Sequence, residues 1–393
     1  MMRARHLVAT MLLLASVPAQ AVCDTNNTYG YSFTSTAAMS YATTYNYTAS
    51  NPLGATRPFT VAFTTNGLSS NQVNSQALPR VGNLITTSAG ANTLVVGGVF
   101  SGRTTSITGT TRVITITFTF TQPVRDFILS AHDADYTNDQ YRDWINISGS
   151  DGVTTYTPTL TTPHGTNNGT GPRTAANSSV RLGPGTTPFN MTAQQALGVG
   201  ASDNNNVDTG DVTASFAQPV TSITMRYGNY PYQSGENTTG QQAMGISRIR
   251  FCPMPSIAIA KTSAPYIVTA GSPDRFNAPG SDVAYALTVT NSGGSPVDAS
   301  TLVLTDLLPP NVTFYNGDYN PAVSGMGPFE LAAGTSGVTL PAGGRAYSSN
   351  NGSTYVYAPA AGYDANVDAV RLTPSGSMAA NSTFTVRFRA RIN

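Results

Sequence analysis

The sequence has few charged side chains, and two charged residue types are almost missing. Asp, Glu, Lys and Arg make up 10% of the 393 residues, with a formal net charge of +1. Lys261 is the only lysine, and Glu236 and Glu330 are the only glutamates. A chain this close to neutral has no basic field that would attract nucleic acid or an anionic membrane surface. We therefore expect no nucleic-acid partner.

Helical periodicity and long apolar runs are also missing beyond the N-terminus. The chain contains 37 glycines and 25 prolines, and Asn, Ser and Thr recur throughout. This composition is typical of an all-β fold with many turns. No later stretch reaches the roughly 18 consecutive apolar residues that a spanning helix needs, so we expect no membrane span.

Histidine is scarce, and no catalytic motif accompanies it. Apart from His6, the only histidines are His132 and His164. A Ser–His–Asp triad needs a histidine oriented by a carboxylate, but no serine lies in a G-x-S-x-G motif and the spacing suggests no triad. The two glutamates lie in different predicted domains, which leaves only aspartates for a glycosidase pair. No zinc-type Cys/His cluster is present, so we predict a protein that is not an enzyme.

Residues 1–21 have the three parts of a signal peptide. Arg3 and Arg5 form a positive n-region, and Leu7–Val17 is an apolar segment too short to span a membrane. Ala19–Ala21 supplies an A-x-A cleavage site. Removing the two arginines leaves 20 − 2 = 18 basic residues against 19 acidic ones, a net charge of about −1. We expect export to the periplasm, the cell surface or the extracellular medium.

The chain has only two cysteines, Cys23 and Cys252. In an exported protein an even number of cysteines favours a disulfide. A bond between them would enclose nearly all of the first predicted domain, and it would require the first and last strands of that domain to lie side by side. Two free or intermolecularly paired thiols are the alternative.

The most regular pattern lies between Arg112 and Gly149. Over 113–120, Val and Thr residues alternate with Ile and Phe residues, which predicts a long strand with two different faces. Gln122-Pro123 should end this strand, because proline cannot donate a hydrogen bond to a ladder. A second strand is expected around Phe127–Ala131, and it runs directly into an acidic loop.

This arrangement recurs once along the chain. Gln122-Pro123-Val124 and Gln218-Pro219-Val220 each lie between two apolar segments of strand character. Two such strand–corner–strand units are typical of a sandwich in which chain segments pass between sheets. We therefore predict a jelly-roll-like β-sandwich over residues 22–252, followed by a stiff Pro-Met-Pro linker at 253–255.

The acidic loop is the best candidate for a metal site. Asp133, Asp135 and Asp139 offer hard oxygen ligands, and alternate residues of an extended turn can point toward one centre, as Ca²⁺ requires. The EF-hand pattern itself is absent. The alternative is that Asp133 and Asp135 cap turns and pair with Arg125 or Arg142.

A second oxygen-rich run follows later in the first domain. Its members are Asp203, Asn205, Asp208 and Asp211. If the sandwich brings both runs to one edge, they could share a calcium site.

The single tryptophan, Trp144, lies in the alternating segment WINIS just beyond the acidic loop. Alternation places Trp144 on one face and Ile145 and Ile147 on the other. A ring on an outer face could stack on a sugar. The alternative is a partly buried tryptophan within the sandwich.

Residues 256–393 form a second predicted domain with its own motifs. Val283–Gly293 reads VAYALTVTNSG, an alternating strand followed by a turn, and Thr305–Phe314 reads TDLLPPNVTF. Together these segments resemble the bacterial conserved-repeat surface domain, an immunoglobulin-like β-sandwich of unknown function. The resemblance implies an exported, stalk-like or adhesive protein without catalytic residues. Such domains are often repeated, whereas this chain holds one copy.

The first domain has a looser resemblance. Its strand, Gln-Pro-Val corner and strand leading into Asp-x-Asp resemble the ligand-binding sandwiches near the N-termini of some bacterial adhesins. We therefore expect an exported, non-enzymatic surface or extracellular protein with an adhesive or structural role, and with glycans or surface proteins as partners. A carbohydrate-binding module in the first domain is the alternative.

Overall fold

The computed structural model describes Cys23 and residues 25–101, 111–137, 140–164, 179–185, 189–200, 207–230, 240–266 and 278–393. The predicted signal peptide lies outside the described residues. The chain divides into two compact units, the first unit of Cys23–Pro253 and the second unit containing Met254–Asn393. The division lies in the segment that the sequence predicts as a linker. Within the described residues, no helix is long and apolar enough to cross a membrane.

Both units consist of antiparallel β-sheets, so the predicted all-β sandwich class is confirmed. The strands described in the first unit are β1 (Tyr29–Ser32), β2 (Ala37–Ala38), β3 (Thr44–Ser50), β4 (Thr56–Asn66), β5 (Leu68–Ser70), β6 (Gln72–Val73), β7 (Gln76–Ala77), β8 (Arg80–Thr86), β9 (Asn92–Phe100), β10 (Val113–His132), β11 (Tyr136–Thr137), β12 (Tyr141–Ser150), β13 (Thr155–Tyr156), β14 (Thr159–Thr161), β15 (Val180–Leu182), β16 (Gln195–Gly198), β17 (Val212–Phe216), β18 (Val220–Asn229) and β19 (Gln241–Pro253).

Strand β10 has 20 residues and belongs to both layers of the first unit. Its first half, Val113–Phe120, pairs with β4 on one side and with β18 on the other. Its second half, Val124–His132, pairs with β17 and β19. One strand therefore crosses from one sheet to the other. The prediction of two strands separated at Gln122-Pro123 is wrong.

The Gln-Pro-Val corner bends β10 instead of ending it. The register between β10 and β18 shifts between Thr119 and Val124, where Pro123 has no N–H to continue the ladder. The second Gln-Pro-Val corner lies directly opposite, since Val124 pairs with Val220. The recurring sequence thus marks two antiparallel neighbours that turn together from one sheet into the other.

The two sheets of the first unit enclose its main core. One sheet follows the order β15-β16-β12-β18-β10-β4-β3, and the other follows β14-β17-β10-β19-β9-β8-β2. Both halves of β10 contribute fully buried side chains to this core, among them Ile116, Phe118, Phe127 and Leu129. Burying one such side chain stabilises the fold by about 1.5–3 kcal/mol. In the first half the threonines face away from the core, as the alternation predicts.

The disulfide predicted between Cys23 and Cys252 is present, with a Cα–Cα distance of 5.9 Å and a sequence separation of 229. Strand β1 pairs with β19, beginning with Tyr29 opposite Phe251, so the two ends of the first unit lie side by side. In the chain-entropy picture, closing a loop of this length destabilises the unfolded chain by up to about 5 kcal/mol.

The second unit is a smaller sandwich with a separate core. Its strands are β20 (Ile257–Pro265), β21 (Asp282–Asn291), β22 (Leu304–Leu307), β23 (Val312–Asn316), β24 (Glu330–Ala332), β25 (Arg345–Ser348), β26 (Gly362–Asp364), β27 (Ala369–Leu372) and β28 (Ser382–Ile392), with a 3-10 turn at Ala342–Gly344. One sheet has the order β20-β21-β28-β23-β26, with β24 also on β28, and the other has the order β22-β27-β25. The apolar residues of β21 alternate into the core, as predicted.

A buried ion pair joins the two sheets of the second unit. Lys261 on β20 places its Nζ 2.7 Å from Oδ1 of Asp306 on β22, and the two side chains are only 11% and 4% exposed. The same Nζ lies 4.6 Å from the ring centroid of Tyr285. Burial raises the pKa of Asp306, while the nearby Lys261 ammonium opposes that shift. The only lysine of the chain therefore holds the first strand of this unit to the opposite sheet.

Candidate functional site

The described part of the acidic loop lies against the segments that flank the second oxygen-rich run, at one edge of the first unit. The loop begins at Asp133, whose backbone has a φ of 64°, directly after β10. The Ala134 N–H donates to the Gly210 carbonyl over 3.0 Å, and the Tyr136 N–H donates to the Gly200 carbonyl over 2.9 Å. These main-chain bonds fix the loop against the segments that flank the second run. Asp139, Asp203 and Asn205 lie outside the described residues.

Two carboxyl groups, those of Asp135 and Asp143, lie together beneath this edge. Asp143 is completely buried and Asp135 is 2% exposed. The Asp135 N–H donates to Oδ2 of Asp143 over 3.2 Å, and the Asp143 N–H donates to the Asp135 carbonyl over 3.0 Å. The other oxygen of Asp143 accepts hydrogen bonds from the Tyr227 hydroxyl at 2.7 Å and from Nε2 of Gln242 at 3.0 Å.

This burial changes the acidity of the Asp143 carboxyl group. Desolvation raises the pKa of Asp143 well above its ordinary value, and the neighbouring Asp135 carboxyl raises it further, whereas the Tyr227 hydrogen bond lowers it. Burial and the Asp143 carboxyl likewise raise the pKa of Tyr227. Burial and the neighbouring carboxyl thus favour the neutral form of Asp143 more strongly than water does.

The predicted calcium ligands are not gathered into one group of carboxylates within the described part of the chain. There, the one group of three close metal-ligating side chains is Cys23, Asp126 and Cys252, and its two sulfur atoms form the disulfide. The Asp135 side chain is buried and interacts electrostatically with Asp143. Because Asp139 is not described, calcium binding by the loop stays a prediction.

The two arginines expected beside the loop have other contacts in the structure. Nη1 of Arg125 lies 3.1 Å from Oδ2 of its neighbour Asp126. Nη1 of Arg142 donates to the Gly198 carbonyl over 2.8 Å, and its guanidinium stacks 3.8 Å from the ring centroid of Tyr136. Arg142 therefore fixes the backbone at this edge.

Trp144 does not face outward, so the prediction of an exposed ring for sugar stacking is wrong. Its side chain is completely buried. It packs in a small cluster of its own with Val113, Met191, Leu197 and Tyr230. Strand β12 lies between β16 and β18, and both of its faces are covered, with Ile145 and Ile147 on the main core. Alternation alone cannot distinguish a covered second face from an exposed one.

The structure brings a serine, a histidine and an aspartate together in the order of a catalytic triad, although the sequence spacing suggests no triad. Nδ1 of His132 lies 2.7 Å from Oδ1 of Asp211, and Nε2 of His132 lies 2.7 Å from Oγ of Ser247. His132 ends β10, Asp211 directly precedes β17, and Ser247 belongs to β19. We call these three residues the Asp–His–Ser trio. Its order of carboxylate, imidazole and hydroxyl is that of hydrolytic triads.

The sequence does not reveal this trio, because Asp211 and Ser247 lie 79 and 115 positions from His132 along the chain. The pairing of β10 with β17 and β19 brings them together, and no local motif records that pairing. The other histidine is also engaged by an aspartate, since Nε2 of His164 lies 2.8 Å from Oδ1 of Asp208. The scarcity of histidine is the one signal that could have drawn attention to His132.

No protein-family model matches the chain, and no curated protein matches it.

We expect the Asp143→Asn variant to change how the stability of the first unit depends on pH. The folded pKa of Asp143 lies above its unfolded value of about 4, so the folded state binds more protons and loses stability as the pH rises above 4. An asparagine keeps an acceptor for Tyr227 and Gln242 but cannot ionise. Melting temperatures measured from pH 4 to pH 8 should therefore favour the variant increasingly toward high pH.

Asp151→Asn serves as the control. Backbone hydrogen bonds from Thr154 and others lower the pKa of Asp151 to about 2, so its stabilising effect is present above the unfolded pKa and is lost only as the pH falls from about 4 toward 2. Between pH 4 and pH 8 the melting curve of this variant should therefore run parallel to that of the wild type. Parallel melting curves for the wild type and Asp143→Asn across the range would show that folding does not raise the pKa of Asp143.

Proposed function

We propose that this chain is an exported surface or extracellular protein with an adhesive or structural role. The disulfide supports the oxidising compartment, because such bonds persist in secreted and cell-surface proteins and are rare in the cytosol. The near-neutral, hydroxyl-rich composition and the resemblance of the second unit to surface repeats agree with this role. Glycans or surface proteins are the partners we propose.

The proposed structural role is supported by the positions of the first and last strands of the second unit, which determine how it would bear tension. Its first strand, β20, and its last strand, β28, flank β21 on either side. Strand β20 begins with Ile257 opposite Asn291, whereas β28 ends beside Asp282 at the other end of β21. A pull on the two ends of the unit therefore acts along the strands, so the hydrogen bonds of both ladders are loaded together instead of one after another.

Two further contacts reinforce this arrangement. The Lys261–Asp306 ion pair ties β20 to the opposite sheet. On β28, Nη1 of Arg387 lies 2.8 Å from Oε2 of Glu330 on β24. The buried pair is the stronger contribution, because removing one partner of a buried pair typically costs about 3–5 kcal/mol, whereas exposed pairs contribute at most about 1 kcal/mol.

In the first unit, the disulfide limits how far the same pull can extend the chain. The bond joins Cys23 to Cys252, so tension enters and leaves at the same point. The residues between the two cysteines cannot lengthen the molecule while the bond is intact. This arrangement suits a protein that presents its first unit on a surface under load.

Single-molecule stretching tests the load-bearing role. With the full chain tethered by its ends, we expect the oxidised protein to show one unfolding event, that of the second unit, and the reduced protein to show two. The second unit should unfold at a several-fold higher force than when it is tethered between residue 280 and Asn393. That second geometry peels β28 from β21, since the Gly280 N–H lies 2.8 Å from the Ile392 carbonyl. Equal forces in the two geometries would contradict the proposal.

The proposed export is tested by the cellular location of the protein and the redox state of its two cysteines. The protein recovered from source cells under thiol-trapping conditions should be disulfide-bonded and should lie outside the cytoplasm. A Cys23→Ser/Cys252→Ser double variant gives the reference for the reduced state. Recovery of the natural chain from the cytoplasm with two free thiols would refute an exported surface protein.

A further inference from the structure

We propose that Ser247, His132 and Asp211 form a nucleophilic site that hydrolyses carboxylic esters through an acyl-serine. This inference goes beyond the adhesive or structural role proposed above. Its test also decides whether the prediction of a protein without enzymatic activity holds.

The backbone around Ser247 presents the side chain away from the regular ladder. Ser130 of β10 pairs with Arg248, but the next residue, Ala131, pairs with Ile246, so Ser247 is an extra residue on β19. Such a bulge redirects one side chain and is common beside active sites. The Ser247 carbonyl is held by the Phe33 N–H over 2.9 Å, which fixes the bulge on its other side.

The hydrogen bonds of His132 define the role of each ring nitrogen. A carboxylate oxygen only accepts hydrogen bonds, so the 2.7 Å contact with Asp211 places the proton on Nδ1. In the neutral imidazole, Nε2 is then the acceptor in the 2.7 Å contact with Ser247, and the serine hydroxyl donates. This is the tautomer that a general base needs to activate a serine hydroxyl.

The burial of the trio also suits this role. The side chains of His132 and Asp211 are 9% and 13% exposed, so the ion pair that forms when the imidazole takes a proton is shielded from water. Ser247 is half-buried, so the nucleophile is not sealed in the core. Three neighbouring strands hold the three side chains, which gives the site the rigidity that proximity catalysis requires.

The reaction follows from this geometry. Oγ of Ser247 attacks the ester carbonyl carbon while Nε2 of His132 takes the hydroxyl proton. The bond between the carbonyl carbon and the alcohol oxygen then breaks, and the proton passes from Nε2 to the departing alcohol. A water molecule, deprotonated by the same nitrogen, attacks the acyl-serine. The acid leaves as Ser247 regains its proton, so ester and water become acid and alcohol.

Two probes of the full-length, disulfide-bonded protein test the site. A fluorophosphonate reacts irreversibly with activated serines, and peptide mapping by mass spectrometry should locate it on Ser247 of the wild type. Hydrolysis of p-nitrophenyl acetate should fall by at least about 10²-fold in Ser247→Ala and His132→Gln, the scale that acid–base catalysis contributes. Asp211→Asn should keep the fold and lose rate as well, because asparagine no longer holds the required tautomer.

Ser215→Ala is the matched control, since Ser215 is a half-buried serine on the neighbouring β17 whose Oγ donates to the Thr159 carbonyl over 3.4 Å. It should label and turn over like the wild type. A wild-type protein that carries no probe on Ser247 overturns the proposal without reference to any variant. Equal rates for the wild type and a folded Ser247→Ala would also overturn it, and the trio would then be a structural bridge between strands.

Discussion

The first unit depends on one constraint, the continuous pairing of β10 through its bend. Before the corner this strand lies between β4 and β18, and after it the same strand lies between β17 and β19. A bend of this kind is stable only if a neighbour bends with it, which the opposite corner at Val220 provides. The core side chains of both halves then face one interior, and the disulfide holds the last strand against the first.

The same bend positions the ionisable side chains of the candidate site. His132 ends the strand, and the two strands that flank its second half bring Asp211 and Ser247 to either side of the imidazole. Just beyond, the chain turns at Asp133 into the loop that leads to the buried Asp135–Asp143 network. The strand pairing that stabilises the first unit therefore also positions the three side chains of the trio, as a precise site requires.

The sequence predicts features that depend on local alternation or on residue counts. It does not predict features that depend on how distant strands pair. Alternation identified the faces of β10 and β21, and the cysteine count identified the disulfide. The proline at residue 123 predicts the end of a strand, because from sequence alone a bent strand with a bent partner cannot be distinguished from a strand end. Alternation says which residues share a face with Trp144, but it does not say whether another layer covers that face. The Asp–His–Ser trio was missed since strand pairing, not spacing, brings its members together.

Native-state hydrogen exchange on the disulfide-bonded protein tests the role of β10 most directly. If one bent strand joins both sheets into one cooperative unit, core amides on both sides of the corner, such as those of Ile116 and Leu129, should exchange only through global unfolding. They should then report the same opening free energy, with the same dependence on denaturant. Clearly different opening free energies for the two halves would show that the sheets unfold separately, and that the bend does not organise the unit.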